Sequence, residues 1–158
     1  AVNGPARGAG AEMAINGDFI LMADTATIAF PETGLGTFVG GGVTFLLPQL
    51  VGMMKAKELI YTGKIVTGPE AVKLGLALES FPVEELMPAA LALAGKLAEK
   101  APLSMAFVRD LVHNAPHRDF KTVILVEAEA ILACMNTTDW HEGIASFGEK
   151  RKPVFTGR

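Results

Sequence analysis

Cysteine occurs once in this 158-residue chain, at Cys134. A single thiol excludes an intramolecular disulfide and suits a reducing compartment, which in a bacterium is the cytoplasm. Aromatic residues are scarce at 7%, with one Trp and one Tyr. The three histidines, His113, His117 and His141, have no thiol or carboxylate partner at ligand spacing, so no metal site is expected. No apolar run approaches the roughly 18 residues of a membrane span. No basic stretch opens the sequence, so no signal peptide is expected. Charge is nearly balanced, 14 Lys and Arg against 17 Asp and Glu, for a net −3. With a pI near 5.6, a general nucleic-acid role has no electrostatic support. The expected partners therefore include neither nucleic acid nor membrane.

Apolar residues are plentiful. Half of the chain is hydrophobic and mean hydropathy is +0.35. That is rich for a monomer of this size and points to apolar surface buried against other chains. The length suits one domain with a core. The opening Ala1-Val2-Asn3-Gly4 reads as the end of a strand and its turn, so the chain is expected to be a fragment of a longer one.

The pattern changes near residue 80. Residues 1–80 alternate glycine-rich loops and short apolar stretches with helices, an α/β texture; residues 81–158 read as almost purely helical. In the first part the pattern predicts a helix over 11–16 and strands over 19–22 and 27–30. Helices follow from about 43 to 51 and from 53 to 61. Thr67-Gly68-Pro69-Glu70 has the form of a capping box with proline in the first turn. A strand over 76–80 closes this part. Beyond it, Pro88 suits a first helical turn and Pro102 opens another helix. Phe120, Ile124, Ile131 and Met135 share an apolar helical stripe. Asp139, with Glu142 three residues on, has the look of a last N-cap.

Two glutamates stand out. Glu12 follows the small-residue run Gly8-Ala9-Gly10-Ala11, and Glu32 lies in Phe30-Pro31-Glu32-Thr33-Gly34-Leu35-Gly36. An apolar strand between them can bring both carboxylates to one pocket. Paired carboxyl groups beside small-residue backbone suit water addition or proton shuttling next to a carbonyl. Each piece also has a plainer reading. The small-residue run fits a close backbone approach, Glu12 fits a helix-dipole position, and Glu32 fits a loop ion pair. The run matches only the first half of a dinucleotide fingerprint, and no P-loop string occurs. Gly40-Gly41-Gly42 is a flexible loop by default, or a set of N–H groups for water or an anion. Lys150-Arg151-Lys152 reads as a solvated terminus or a partner for phosphates. Phe147 reads as core or interface, and Cys134 as an inert thiol.

Together, residues 3–12, Asp18 and residues 30–36 resemble the crotonase, or enoyl-CoA hydratase/isomerase, superfamily. Leu59-Ile60-Tyr61-Thr62-Gly63, Ala71-Val72-Lys73-Leu74-Gly75-Leu76 and the run from Gly143 to Pro153 agree, in the same order. The resemblance covers the whole chain and corresponds to the C-terminal three-fifths of the family. It implies a ββα spiral, here lacking its N-terminal part, followed by a helical trimerisation region. The domain reading is thus 1–80 for spiral core and 81–158 for oligomerisation. The implied partners are an acyl-CoA substrate and copies of the same chain, as a trimer or a dimer of trimers. No cofactor is implied beyond the coenzyme A of the substrate. The resemblance implies Glu12 and Glu32 as catalytic groups and the Ala9 N–H as one oxyanion-hole donor. It further implies Gly40 as a water-positioning backbone and Phe147 and Lys150 as groups reaching a neighbouring subunit's CoA. Keeping both glutamates favours hydration of a trans-2-enoyl-CoA. Isomerisation, another acyl-CoA reaction of the superfamily and a non-catalytic fragment are the alternatives. Two positions depart from the family pattern: Ala9 replaces a glycine, and Arg7 replaces an apolar residue at the pocket mouth.

Overall fold

The computed structural model describes residues 1–158, which divide into two compact units, Ala1–Ala92 and Leu93–Arg158. The first unit is built on short strands. Strand β1 (Pro5–Arg7) leads into helix α1 (Ala9–Ile15), and β2 (Leu21–Ala23) is followed at once by β3 (Thr27–Ala29). After the 3₁₀ turn Glu32–Leu35 come α2 (Val43–Val51), α3 (Met53–Thr62), β4 (Val66–Thr67), α4 (Gly68–Lys73) and β5 (Glu79–Phe81). β1 and β3 run parallel with Pro5 opposite Thr27, and β4 joins antiparallel on the far side of β3. β2 pairs in parallel with β5, and Val2 bridges to Met22. The opening segment thus touches one sheet at Val2 and the other at Pro5. Residues 21–29 do the same, one rung along.

The run from Ile20 to Phe30 supplies most of the core. Ile20, Leu21, Met22, Ala23, Ala26, Ile28, Ala29 and Phe30 are all buried. Parallel strands covered on both faces read as continuous apolar sequence rather than alternation. That is why the strand signal near residue 20 was clear while its ends were not. β1 and β4 escaped the pattern because Pro5-Ala6-Arg7 and Val66-Thr67 are too short to show a period. The capping box forms as expected: Thr67 caps α4, and the Thr67 N–H donates to Glu70 Oε2 at 3.0 Å.

The boundary between the units falls within α5 (Val83–Ala98), which is followed by α6 (Pro102–Asn114), α7 (Phe120–Met135) and α8 (Thr138–Glu149). Two local expectations are corrected. Pro88 lies inside α5, whose first turn instead closes on the Pro82 carbonyl through the Glu85 and Leu86 N–H groups. The N-cap of α8 is Thr137, whose hydroxyl accepts from the Trp140 N–H at 3.1 Å. Asp139 is buried and serves the chain end. Its Oδ1 accepts the Thr156 N–H at 2.7 Å and its Oδ2 the Gly157 N–H at 2.8 Å. No helix is long and apolar enough to cross a membrane.

Candidate active site

Glu12 and Glu32 reach one locality of the first unit by different routes. Gly8 precedes α1 with φ 52° and ψ −123°, a backbone shape that favours glycine. The Gly8 carbonyl accepts the Glu12 N–H at 2.9 Å, closing the first turn of the helix. The opening N–H groups of α1 therefore have no acceptor within the helix, and Ala9 is the first of them.

Glu32 arrives from the other side. Buried Phe30 follows β3, Pro31 turns the chain, and Glu32 begins the 3₁₀ turn. The Thr37 N–H donates to the Glu32 carbonyl at 3.1 Å. The Thr33 hydroxyl donates to the Ile60 carbonyl at 3.0 Å, tying the turn to the end of α3. The Glu32 carboxylate then lies over Gly8: a Cβ at Gly8 would stand 2.9 Å from Glu32 Oε1. The plainer reading of the small-residue run therefore holds. It is a close backbone approach, and the group approached is the second glutamate.

The Gly40 N–H donates to Glu12 Oε1 at 2.7 Å. A Cβ at Gly40 would meet Glu12 Oε2 at 3.2 Å, and one at Gly41 would meet Glu12 Cβ at 2.8 Å. Gly41 also has φ +56° and Gly42 φ +78°. The glycine loop is thus pressed against Glu12 at a distance no side chain allows. Glu32 is buried, at 7% exposure, and its Oε2 has no hydrogen-bond partner in the protein. Buried carboxylate oxygens are ordinarily satisfied, and an orphan one calls for an explanation, whether a catalytic role or a bound water or ion.

The structure therefore sets Gly40 on the Glu12 carboxylate and the Glu32 carboxylate over Gly8, the residue before Ala9. Phe147 and Lys150 belong to the second unit. Phe147 is almost fully exposed near the end of α8. Lys150 ends that helix in the left-handed region, φ 56°, the only non-glycine residue with positive φ. Arg7 has its guanidinium engaged across the sheet. Nη1 donates to the Thr27 carbonyl at 3.1 Å and Nη2 to the Thr27 hydroxyl at 2.9 Å, so it staples β1 to β3. Sequence reasoning missed Asn16, whose amide bridges α1 and the glycine loop. A single Asn before a glycine reads only as a helix end, and its second partner lies 25 residues away.

A parallel-stranded α/β unit that sets two carboxylates beside a helix start and a glycine loop has the layout of an acid–base site. Comparison with known proteins places it further. The sequence pattern of the family described as enoyl-CoA hydratase/isomerase matches residues 1–158. The crotonyl-CoA hydratase of Syntrophomonas wolfei is 37% identical over 158 residues, covering 100% of this chain and 61% of that protein. The short-chain-enoyl-CoA hydratase of Clostridium acetobutylicum is 36% identical over 152 residues, 96% of this chain and 58% of that one. A crystal structure of enoyl-CoA hydratase from Bacillus anthracis superposes with a TM-score of 0.94 at 35% identity. It covers 98% of this chain and 60% of its own. The chain belongs to the enoyl-CoA hydratase/isomerase family and has the crotonase fold. It spans about three-fifths of the length of the curated relatives it matches.

Proposed function

We propose that the protein to which this chain belongs is an enoyl-CoA hydratase, adding water across the 2,3 double bond of a trans-2-enoyl-CoA. The observation that carries the reading is the orphan Oε2 of Glu32, in a carboxylate that lies over Gly8 at the start of the helix that carries Glu12, whose own Oε1 is fixed by the Gly40 N–H. A water held between two such groups has one acceptor to take its proton and another carboxyl to supply a proton to C2. The thioester oxygen becomes negative as the water adds. The Ala9 N–H at the start of α1 is assigned to that developing charge, where a fixed donor acts most strongly. Gly40 holds Glu12 in place and so positions the water indirectly. Coenzyme A is part of the substrate, and no separate cofactor is assigned. Phe147 and Lys150 are assigned to the coenzyme A of a neighbouring subunit in a trimer or a dimer of trimers.

Product analysis tests the reaction class. The gene product, given a short trans-2-enoyl-CoA in ¹⁸O-labelled water, is expected to yield labelled 3-hydroxyacyl-CoA. An unlabelled 3-enoyl-CoA as the main product would replace hydration by isomerisation.

A further inference from the structure

The three consecutive glycines at 40–42 place the most permissive backbone where the site is most exacting. Glycine loses more conformational freedom on ordering than any other residue. Yet the Gly40 N–H must stay 2.7 Å from Glu12 Oε1. Beyond residue 42 the loop is held by α2, where the Phe45 and Leu46 N–H groups donate to the Gly42 carbonyl at 3.0 and 2.9 Å. Before residue 40 it is held by buried Val39. Between these anchors a second side chain, besides Glu12, grips it. Asn16 Nδ2 donates to the Gly41 carbonyl at 2.7 Å and to the Glu12 carbonyl at 2.8 Å.

We propose that Asn16 is a positioning residue for the reaction assigned above. Its amide clasps the glycine loop to the helix that carries Glu12, and so keeps the Gly40 N–H on the Glu12 carboxylate. The inference rests on the hydratase reading only for its catalytic consequence. Both acceptors are backbone carbonyls, so the amide nitrogen, with two N–H donors, is the atom that fits; the amide oxygen could serve neither. One of those carbonyls belongs to Glu12 itself. The clasp therefore fixes the loop relative to the residue whose side chain the loop must meet. Asn16 ends α1, where the N–H of the next residue, Gly17, closes on the Ala14 carbonyl at 3.2 Å. Its side chain is thus free to reach across without breaking the helix. The group acts through Gly40 and touches no reacting atom.

The test uses the full gene product with two substitutions. Asn16→Asp keeps shape but removes both donors; Asn16→Gln keeps the donors on a longer arm. Amide hydrogen exchange across residues 40–43 is read alongside hydration of trans-2-butenoyl-CoA. Asn16→Asp is expected to speed exchange in that segment at least about ten-fold and to lower kcat by about 10–100-fold, the scale of a small misplacement. KM is expected to stay within about two-fold, and the melting temperature to be unchanged. Asn16→Gln is expected to recover part of both losses. Unchanged exchange in Asn16→Asp would overturn the clasp, whatever the activity. Faster exchange with unchanged kcat would overturn the positioning role. If the wild-type protein hydrates nothing, the functional reading fails, and the exchange measurement still decides the clasp.

Discussion

Glu12 and Glu32 are held by opposite means, and the contrast matches the division of labour proposed for them. One oxygen of Glu12 is fixed by a backbone N–H from Gly40, whereas Glu32 is buried with an oxygen left unpaired. The first is oriented and the second is available. Gly41 shows how tightly this is drawn, because a single carbon there would collide with the Glu12 Cβ on a backbone that side chains rarely adopt. Gly41→Ala is therefore expected to lower hydration at least about ten-fold by displacing the loop, with a stability loss of about 1–3 kcal/mol from crowding. Activity and chemical-denaturation midpoint measure the two effects. Wild-type behaviour in both would show that the loop is not pressed against Glu12. The glutamates were legible in the sequence because their neighbours are small or apolar. Asn16 was not, since nothing local marks a contact that spans 25 residues.

The elements that carry the site are short, and their legibility followed their length. α2, α3 and the capping box of α4 were all visible as helical pattern bounded by glycine, and the structure has them there. β1 and β4, three and two residues long, were invisible because pairing with β3, not local propensity, makes them strands. In α8 the N-cap was misplaced by two residues for a physical reason. Thr137 and Asp139 can both accept a hydrogen bond, and the carboxylate is drawn instead to the backbone near the chain end. That segment is also held by Glu142. Arg151 binds both oxygens of Glu142, at 2.5 and 2.8 Å, and the Val154 N–H adds a third hydrogen bond at 2.8 Å. The Arg151 hydrogen bonds first, and the Val154 N–H second, hold the Glu142 carboxyl down to about 2 from its ordinary 4.5. A carboxyl lowered in the folded state stabilises it above the ordinary value, and that contribution is lost as pH falls. The melting-temperature advantage of wild type over Glu142→Gln should accordingly be full above about pH 4.5 and vanish on approach to pH 2. A difference that does not vary with pH would remove the ion pair from the account.

For the whole molecule, the apolar excess seen in the composition shows at the surface of both units, at Met13, Leu35, Phe38, Met54 and Tyr61 among others in the first. In the second unit Val108, Val112, Phe120, Ile124, Leu125, Ile131, Leu132 and Ile144 are exposed, far more large apolar surface than an isolated helical unit ordinarily shows. The proposed trimer is expected to cover it, and sedimentation of the gene product should give a trimer or hexamer; a clean monomer at micromolar concentration would contradict that assembly. The family and the fold were both readable from motif order, since the crotonase pattern runs through the entire chain. What sequence could not supply was the geometry around each glutamate, because it depends on Gly8 and Gly41 approaching their side chains from distant parts of the chain.

The central claim is that Glu12 and Glu32 act together on one water. Its most direct test is the loss of enoyl-thioester absorbance with trans-2-butenoyl-CoA, measured for the wild-type gene product beside Glu12→Gln and Glu32→Gln. Each substitution is expected to cut kcat by about 10²–10⁴-fold, the usual worth of a general acid or base, with folding unchanged by circular dichroism. A folded variant that hydrates at the wild-type rate would contradict the role given to that carboxylate and, with it, the shared-water account.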